Sequence, residues 1–245
     1  MNFGRVFNFG DFERDRWVAT QARTLPAGSR VIDVGAGPCK YRSLFQHCVY
    51  TAQDFGGHRA THVGVIAEEW SYGAIDLVCD ASAMPVADGS FDAVLCTEVL
   101  EHVPEPAKVV RELGRILRPG GRLMLTAPLG SGLHQEPDHY YGGFTPFWYE
   151  RFLAEAGFEN IVAQPNGGFF KHYGQESRRF SALIDPRRVP RSALPLVAPL
   201  WALTLPWFRV IVPLACDALD RLDSHRAFTV GYHVTASRAQ SPEDS

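Results

Sequence analysis

The chain has few lysines: of 24 basic side chains in 245 residues, only Lys40, Lys108 and Lys171 are lysine, and the rest are arginine. No function follows from that ratio alone. It also lacks an excess of positive charge, since 24 cations face 27 acidic residues for a formal net charge of −3. That balance argues against broad contact with nucleic acid phosphates, so no nucleic acid partner is expected. The five cysteines (Cys39, Cys48, Cys79, Cys96 and Cys216) include no C-x-x-C pair. A disulfide scaffold is thereby excluded, and buried thiols in a reducing compartment are expected. The start, MNFGRVFNFGDFERDRW, has no basic segment followed by a long apolar one, so no secretory signal is read and a cytoplasmic location is expected. Internal repeats are absent, and so is any formal charge between Ser192 and Phe208. With 46% apolar residues, the chain can bury a core without a metal or disulfide staple.

The apolar runs alternate with helical patterns. Short strands are predicted over 30–34, 49–53, 75–79, 91–96 and 122–127, and helices over 11–25, 40–46, 105–117 and 145–156. Residues 56–72 are weakly patterned. In the 105–117 segment Val109, Leu113, Ile116 and Leu117 share one helical face, and Arg118-Pro119-Gly120-Gly121 ends it. Thr145 and Pro146 are suited to open the next helix as N-cap and first helical residue. Its aromatics are read first as core. Such alternation predicts right-handed βαβ units and a doubly wound α/β fold. Two more strands, 158–163 and 228–237, are separated by some 60 residues, too many for a hairpin turn.

The segment Val31-Ile32-Asp33-Val34-Gly35-Ala36-Gly37-Pro38-Cys39 carries the most information. A strand running into glycines lets the backbone turn sharply and approach a ligand, and ligands of open α/β sheets bind beyond the carboxyl ends of the strands. Asp33 precedes the turn, Asp54 ends the next predicted strand and Asp80 ends the third. A carboxylate at Asp54 can accept two ribose hydroxyls. Asp80 can accept from an adenine amine beside the Ala81 N–H. Each of these residues could instead be a turn or cap. Three carboxylates together suit a cationic, multi-donor nucleoside better than a pyrophosphate, which they would repel. Dinucleotide binding is disfavoured further, because Gly35-Ala36-Gly37-Pro38-Cys39-Lys40 lacks the third glycine of G-x-G-x-x-G.

VIDVGAGPCKY, QDF at 53–55, DLVCDASAMPVADGSFDAVLCTEVLEHVPEP and RELGRILRPGGRLMLTAPL follow one another over 31–129. In that order and spacing the sequence resembles the class I S-adenosylmethionine-dependent methyltransferases, and within them the methyltransferase type 11 group. The resemblance implies a mostly parallel seven-stranded Rossmann-like sheet with an antiparallel last strand, here preceded by a helical insertion. It implies S-adenosyl-L-methionine as cofactor, with Asp33, Gly35 and Gly37 lining its methionine portion and Asp54 holding the ribose. Asp80 and Ala81 would face the adenine, and Thr97 and Glu98 would lie against the cofactor. Cys39 departs from the third glycine that many members carry.

A single domain is expected: an N-terminal helical segment 1–29, a cofactor-binding core 30–170, an apolar helical insertion 171–225 and a last strand 226–238. A hydroxyl acceptor needs a general base. The loop after the fifth strand, 128–141, offers His134 first and His139 second, and a structural loop is the competing reading. Metal ligation by His134, Glu136, Asp138 and His139 is a minor reading, and no metal centre is assigned. His102 is read as structural. Pro195, Pro199 and Pro206 should break the insertion into short helices, arguing against a membrane span. A lid over the acceptor pocket, an interfacial membrane patch over 192–216 with the preceding arginines, and a homodimer face are its three readings. The expected function is methyl transfer by in-line displacement to a small-molecule or lipid-like acceptor, in the cytoplasm or at the inner face of a membrane. The alternative is a noncatalytic nucleoside-binding module that docks a membrane or protein partner through the insertion.

Overall fold

The computed structural model describes residues 3–57 and 71–240. Most of the weakly patterned stretch 56–72 lies outside them. Seven strands form one sheet: β1 Arg30–Val34, β2 Val49–Asp54, β3 Leu77–Val78, β4 Phe91–Thr97, β5 Leu117–Pro128, β6 Phe158–Pro165 and β7 Gly231–Arg238. Their spatial order is β3-β2-β1-β4-β5-β7-β6. The first five are parallel, and β7 runs antiparallel to β5, with Thr126 opposite His233. The doubly wound α/β fold with an antiparallel last strand is thus present.

Residue alternation on the strands explains the layering. Val31, Ala93, Leu95 and Met124 enter one apolar cluster, with Val18 and Ala22 of helix α2 (Phe9–Ala22), Tyr41 and Phe45. Ile32, Val34, Val94, Cys96, Leu123 and Leu125 enter another, with Val109, Leu113 and Ile116 of α3 (Pro106–Ile116) and Leu153 of α4 (Pro146–Glu155). Successive side chains of a strand point to opposite faces, so strands without a polar face must be covered on both sides. Thr145 caps α4 by accepting from the Trp148 N–H at 3.3 Å, and Pro146 follows it.

Local chemistry overrides periodicity at three places. The helix expected over 40–46 is only a 3-10 turn, Arg42–Phe45, because the chain leaves the glycine turn through Cys39 at φ 56° and must enter β2 by Val49. The strand expected over 75–79 shortens to two residues. Asp76 Oδ2 instead takes the Ala52 N–H at 2.8 Å and an Arg42 guanidinium N–H at 2.9 Å. The expected proline-broken short helices are replaced by a helical run from Arg191 to Leu222, 32 residues, long and apolar enough by length and composition to cross a membrane. Within it α6 (Leu194–Pro206) contains Pro199 and ends at Pro206, a wider π turn spans Trp207–Ile211, and α7 (Val212–Leu219) carries Pro213 in its first turn. A π turn re-spaces the backbone carbonyls that a proline ring would strike, so the axis continues where a strict α-helix would break.

The residues group into two compact units, Met1–Glu13 with Pro165–Val230, and Arg14–Gln164 with Gly231–Ser245. The second holds the sheet. In the first, α5 (Phe169–Leu183) begins where Asp220 Oδ1 accepts the Gly168 and Lys171 N–H groups and Asp223 Oδ2 accepts that of Phe169. The Lys171 ammonium pairs with Asp217 and lies over the Phe9 ring. One side of the long helical run rests on α5, with the Trp201 indole N–H donating to the Ser181 carbonyl and the Ser177 hydroxyl to that of Phe208.

In the sheet unit, His233 stacks on Trp17 with centroids 4.9 Å apart. Burial, with help from Arg14 and Arg16, holds its pKa down at about 4 from an ordinary 6.5. A histidine kept neutral in the fold but free to charge when unfolded stabilises above pH 6.5, and that contribution is lost as pH falls through 4. We expect the urea midpoint to fall between pH 7 and pH 4 less in His233→Phe than in the parent; equal slopes would remove His233 from the account.

Candidate active site

The carboxyl ends of β3, β2, β1 and β4 lie side by side, and the strand order reverses between β1 and β4, the position where open α/β sheets bind ligands. Gly35 and Gly37 turn the chain there at φ 70° and 49°. Gly35 has no room for a side chain, since a Cβ would sit 2.3 Å from Val99 Cγ2. Cys39 takes the left-handed conformation that a glycine would adopt freely.

Gly37 and Asp54 are bonded to each other, while Asp33 and Gly35 are held by Tyr50 and Gln53. Asp33 is 2% exposed and accepts the Tyr50 hydroxyl at 2.5 Å, while its other oxygen, Oδ1, is buried without a partner. Burial pushes its pKa up to about 7; the Tyr50 hydrogen bond opposes this, and the Asp54 charge adds to it. Asp54, also buried, accepts the Gly37 N–H at 3.0 Å on one oxygen and the Gly56 N–H at 3.0 Å on the other. Each carboxylate oxygen keeps further acceptor capacity. Gln53, which the sequence reading did not single out, completes the brace: its side-chain oxygen accepts from Gly35 N–H at 3.3 Å and its amide donates to the Cys79 carbonyl at 2.6 Å. Its signal was a polar residue inside an apolar strand.

Asp80 is exposed and accepts the Ser82 N–H at 2.7 Å, making the turn after β3 in which Ala81 sits. Thr97 ends β4, and Glu98 follows at φ 53°. The Glu98 carboxylate accepts the Thr126 hydroxyl at 2.7 Å and faces Arg14 at 3.4 Å.

His134 and His139 assemble in a second group, beyond β5, with two residues that follow β4. His134 lies 4.5 Å from His139 and 4.8 Å from His102 between ring centroids. Burial and the neighbouring His134 hold the His139 pKa below its ordinary value, which favours a neutral imidazole. The Ser131 hydroxyl bridges His139 Nε2 at 3.1 Å and the Gly142 carbonyl at 3.0 Å. Glu101, also missed by the sequence reading, is 1% exposed; burial and then the Glu98 charge raise its pKa well above the usual carboxylate range.

The first group is chemically specific. Buried acids around a glycine turn, one oxygen left unpaired, fit a cation with several hydrogen-bond donors and repel phosphate. Residues 32–125 match the family model described as methyltransferase domain. An uncharacterized methyltransferase of Mycobacterium sp. (strain JLS) is 33% identical over 138 residues, covering 53% of this chain and 52% of that protein. The ubiquinone biosynthesis O-methyltransferase of Xanthomonas axonopodis pv. citri (strain 306) is 34% identical over 114 residues, covering 43% and 45%. The chain spans about half the length of the curated relatives it matches. Among solved structures, the [4+2]-cyclase SpnF has a TM-score of 0.55 at 19% identity, covering 94% of this chain and 81% of that one. Phosphoethanolamine N-methyltransferase 2 of Haemonchus contortus, solved with S-adenosyl-L-methionine, has a TM-score of 0.51 at 15% identity, covering 93% and 52%. Over residues 32–125 the chain is thus similar to the methyltransferase domain family, and these residues lie on the sheet that carries the glycine turn.

The clash at Gly35 gives a direct test. Gly35→Ala forces both a positive φ and a collision with Val99, so we expect a loss of about 1 kcal/mol or more in thermal or urea unfolding. Val99→Ala in the same chain should recover part of it. No recovery would mean that the steric contact is not what constrains the turn.

Proposed function

We propose that this chain transfers a methyl group from S-adenosyl-L-methionine to a hydroxyl of a small, lipid-like acceptor, working at the cytoplasmic face of a membrane. The observation that carries the first half is the unpaired, buried Asp33 oxygen beside the glycine turn. Asp33, Gly35 and Gly37 would hold the charged methionine portion, Asp54 the ribose, and Asp80 with the Ala81 N–H the adenine. Thr97 and Glu98 would border the cofactor from β4. When bound, the cofactor supplies a methyl group already activated on a sulfonium. The chain's own task is then alignment for in-line displacement and exclusion of water.

A hydroxyl acceptor is favoured over an amine by the imidazoles after β5. An amine needs only to be held neutral, whereas a hydroxyl must lose a proton. The His134–His139 pair can take it. A relative named for O-methylation in ubiquinone biosynthesis is consistent with an acceptor of this chemistry.

The membrane half rests on the Arg191–Leu222 run. Leu196, Leu203 and Trp207 are 75%, 79% and 54% exposed, and Leu200, Val210 and Ile211 are exposed with them. Arg187, Arg188 and Arg191 stand at its N-terminal end, where anionic headgroups would meet them. Contact with α5 along one side, together with the Arg209 guanidinium N–H held by Ser181 Oγ at 3.0 Å, suits a helix lying in the interface.

Calorimetry should detect S-adenosylmethionine binding that weakens about tenfold or more in Asp54→Ala, the size expected for losing hydrogen bonds to a charged acceptor. His134→Ala should leave that binding intact and lower turnover on hydroxyl acceptors by about a hundredfold or more. No cofactor binding overturns the enzyme reading. Binding without turnover across an acceptor panel favours the noncatalytic module. The chain should float with liposomes containing anionic lipid, and Leu203→Glu should reduce the floated fraction; recovery wholly in the soluble fraction overturns the membrane contact.

A further inference from the structure

Glu101, His102 and His134 each bring one ligand atom to within 4.8 Å of the others. The arrangement depends on β4 and β5 being parallel neighbours. Glu101 and His102 sit on the single turn that follows β4, Leu100–His102, and His134 on the loop that follows β5. Glu101 Oε1 stands 3.9 Å from His102 Nε2.

Both histidines have their Nδ1 held by a backbone carbonyl. His102 Nδ1 lies 2.5 Å from the Asp138 carbonyl, and His134 Nδ1 lies 2.8 Å from the Gly132 carbonyl. A carbonyl oxygen can only accept, so each Nδ1 carries the hydrogen, and Nε2 is the nitrogen left to meet a metal ion. A ring N–H pinned to a backbone carbonyl is the usual support of a metal-ligating histidine. The second observation is Glu101 itself: its side chain is almost wholly buried, and Oε2 has no hydrogen-bond partner. A buried carboxylate left without a partner is costly, and a cation at the three-residue cluster removes that cost.

We propose that Glu101, His102 and His134 bind one divalent first-row transition ion, such as Zn2+ or Mn2+, with His139 adjoining the site. Two imidazole nitrogens and one carboxylate favour such an ion over Ca2+ or Mg2+, which prefer all-oxygen sets. Three protein ligands leave coordination positions open. Its catalytic use rests on the methyl-transfer reading. A cation there would lower the pKa of an acceptor hydroxyl, with His139 rather than His134 left to take the proton. The binding itself does not depend on that reading.

The test uses the full chain, stripped with a chelator and titrated calorimetrically with Zn2+ and, separately, Mn2+. The parent should bind one ion per chain. His134→Ala, a loop substitution, and Glu101→Gln, checked for folding by circular dichroism, should each lose affinity by about tenfold or more. S-adenosylmethionine affinity should be unchanged in both. No binding by the parent, or equal affinity in parent and variants, overturns the site. Metal binding that persists without any S-adenosylmethionine binding supports the site and overturns only the methyl-transfer reading.

Discussion

A carboxyl group held out of water at the end of the first strand sets the terms for the rest of the site. Asp33 keeps one oxygen on the Tyr50 hydroxyl and leaves the other with no partner. Such a group resists ionising until a positive charge arrives, which is why burial lifts its pKa towards neutrality. Around it the backbone is braced by side chains. Gln53 links the glycine turn to the end of β3, and Asp54 holds the Gly37 amide. These bonds hold the turn open where a ligand can meet both backbone and acid.

Strand order turns this local arrangement into a larger centre. Because β4 lies between β1 and β5, its carboxyl end serves two groups at once. Glu98 points into a network with Thr126 and Arg14, and Glu101, three residues on, joins the imidazoles that follow β5. Tyr149, fully buried on α4, has its hydroxyl unpartnered, and burial first, then the charges of Glu98 and Glu101, raise its pKa. The glycine turn after β1 and the imidazoles after β5 are thus linked through one short segment after β4.

Much of the fold was readable because periodic burial writes itself into the sequence. β1, β2, β4 and the helix beginning at Pro106 fall where the apolar spacing puts them. The glycine turn was readable because few residues tolerate its φ values. What could not be read depends on single contacts. The Asp76 carboxylate takes the amide of Ala52 that pairing would have used, and one left-handed residue, Cys39, shortens the predicted helix after the turn. Pro195, Pro199 and Pro206 predicted breaks, but Pro195 falls in the first turn of α6, the helix runs on through Pro199, and a π turn continues it after Pro206. Gln53 showed only as a polar residue inside an apolar strand, and Glu101 not at all, because their roles come from neighbours on other elements, which spacing along one strand does not encode.

The central claim is that Asp33 awaits a cation, and proton release on cofactor binding measures it most directly. At pH 7 a group with pKa about 7 is about half protonated and would ionise when the positively charged cofactor binds. The calorimetric enthalpy of S-adenosylmethionine binding should therefore vary with the ionisation enthalpy of the buffer, corresponding to about half a proton released per cofactor. Asp33→Asn should remove that dependence. Binding heats that are the same in every buffer, or a buffer dependence that survives in Asp33→Asn, would contradict the account.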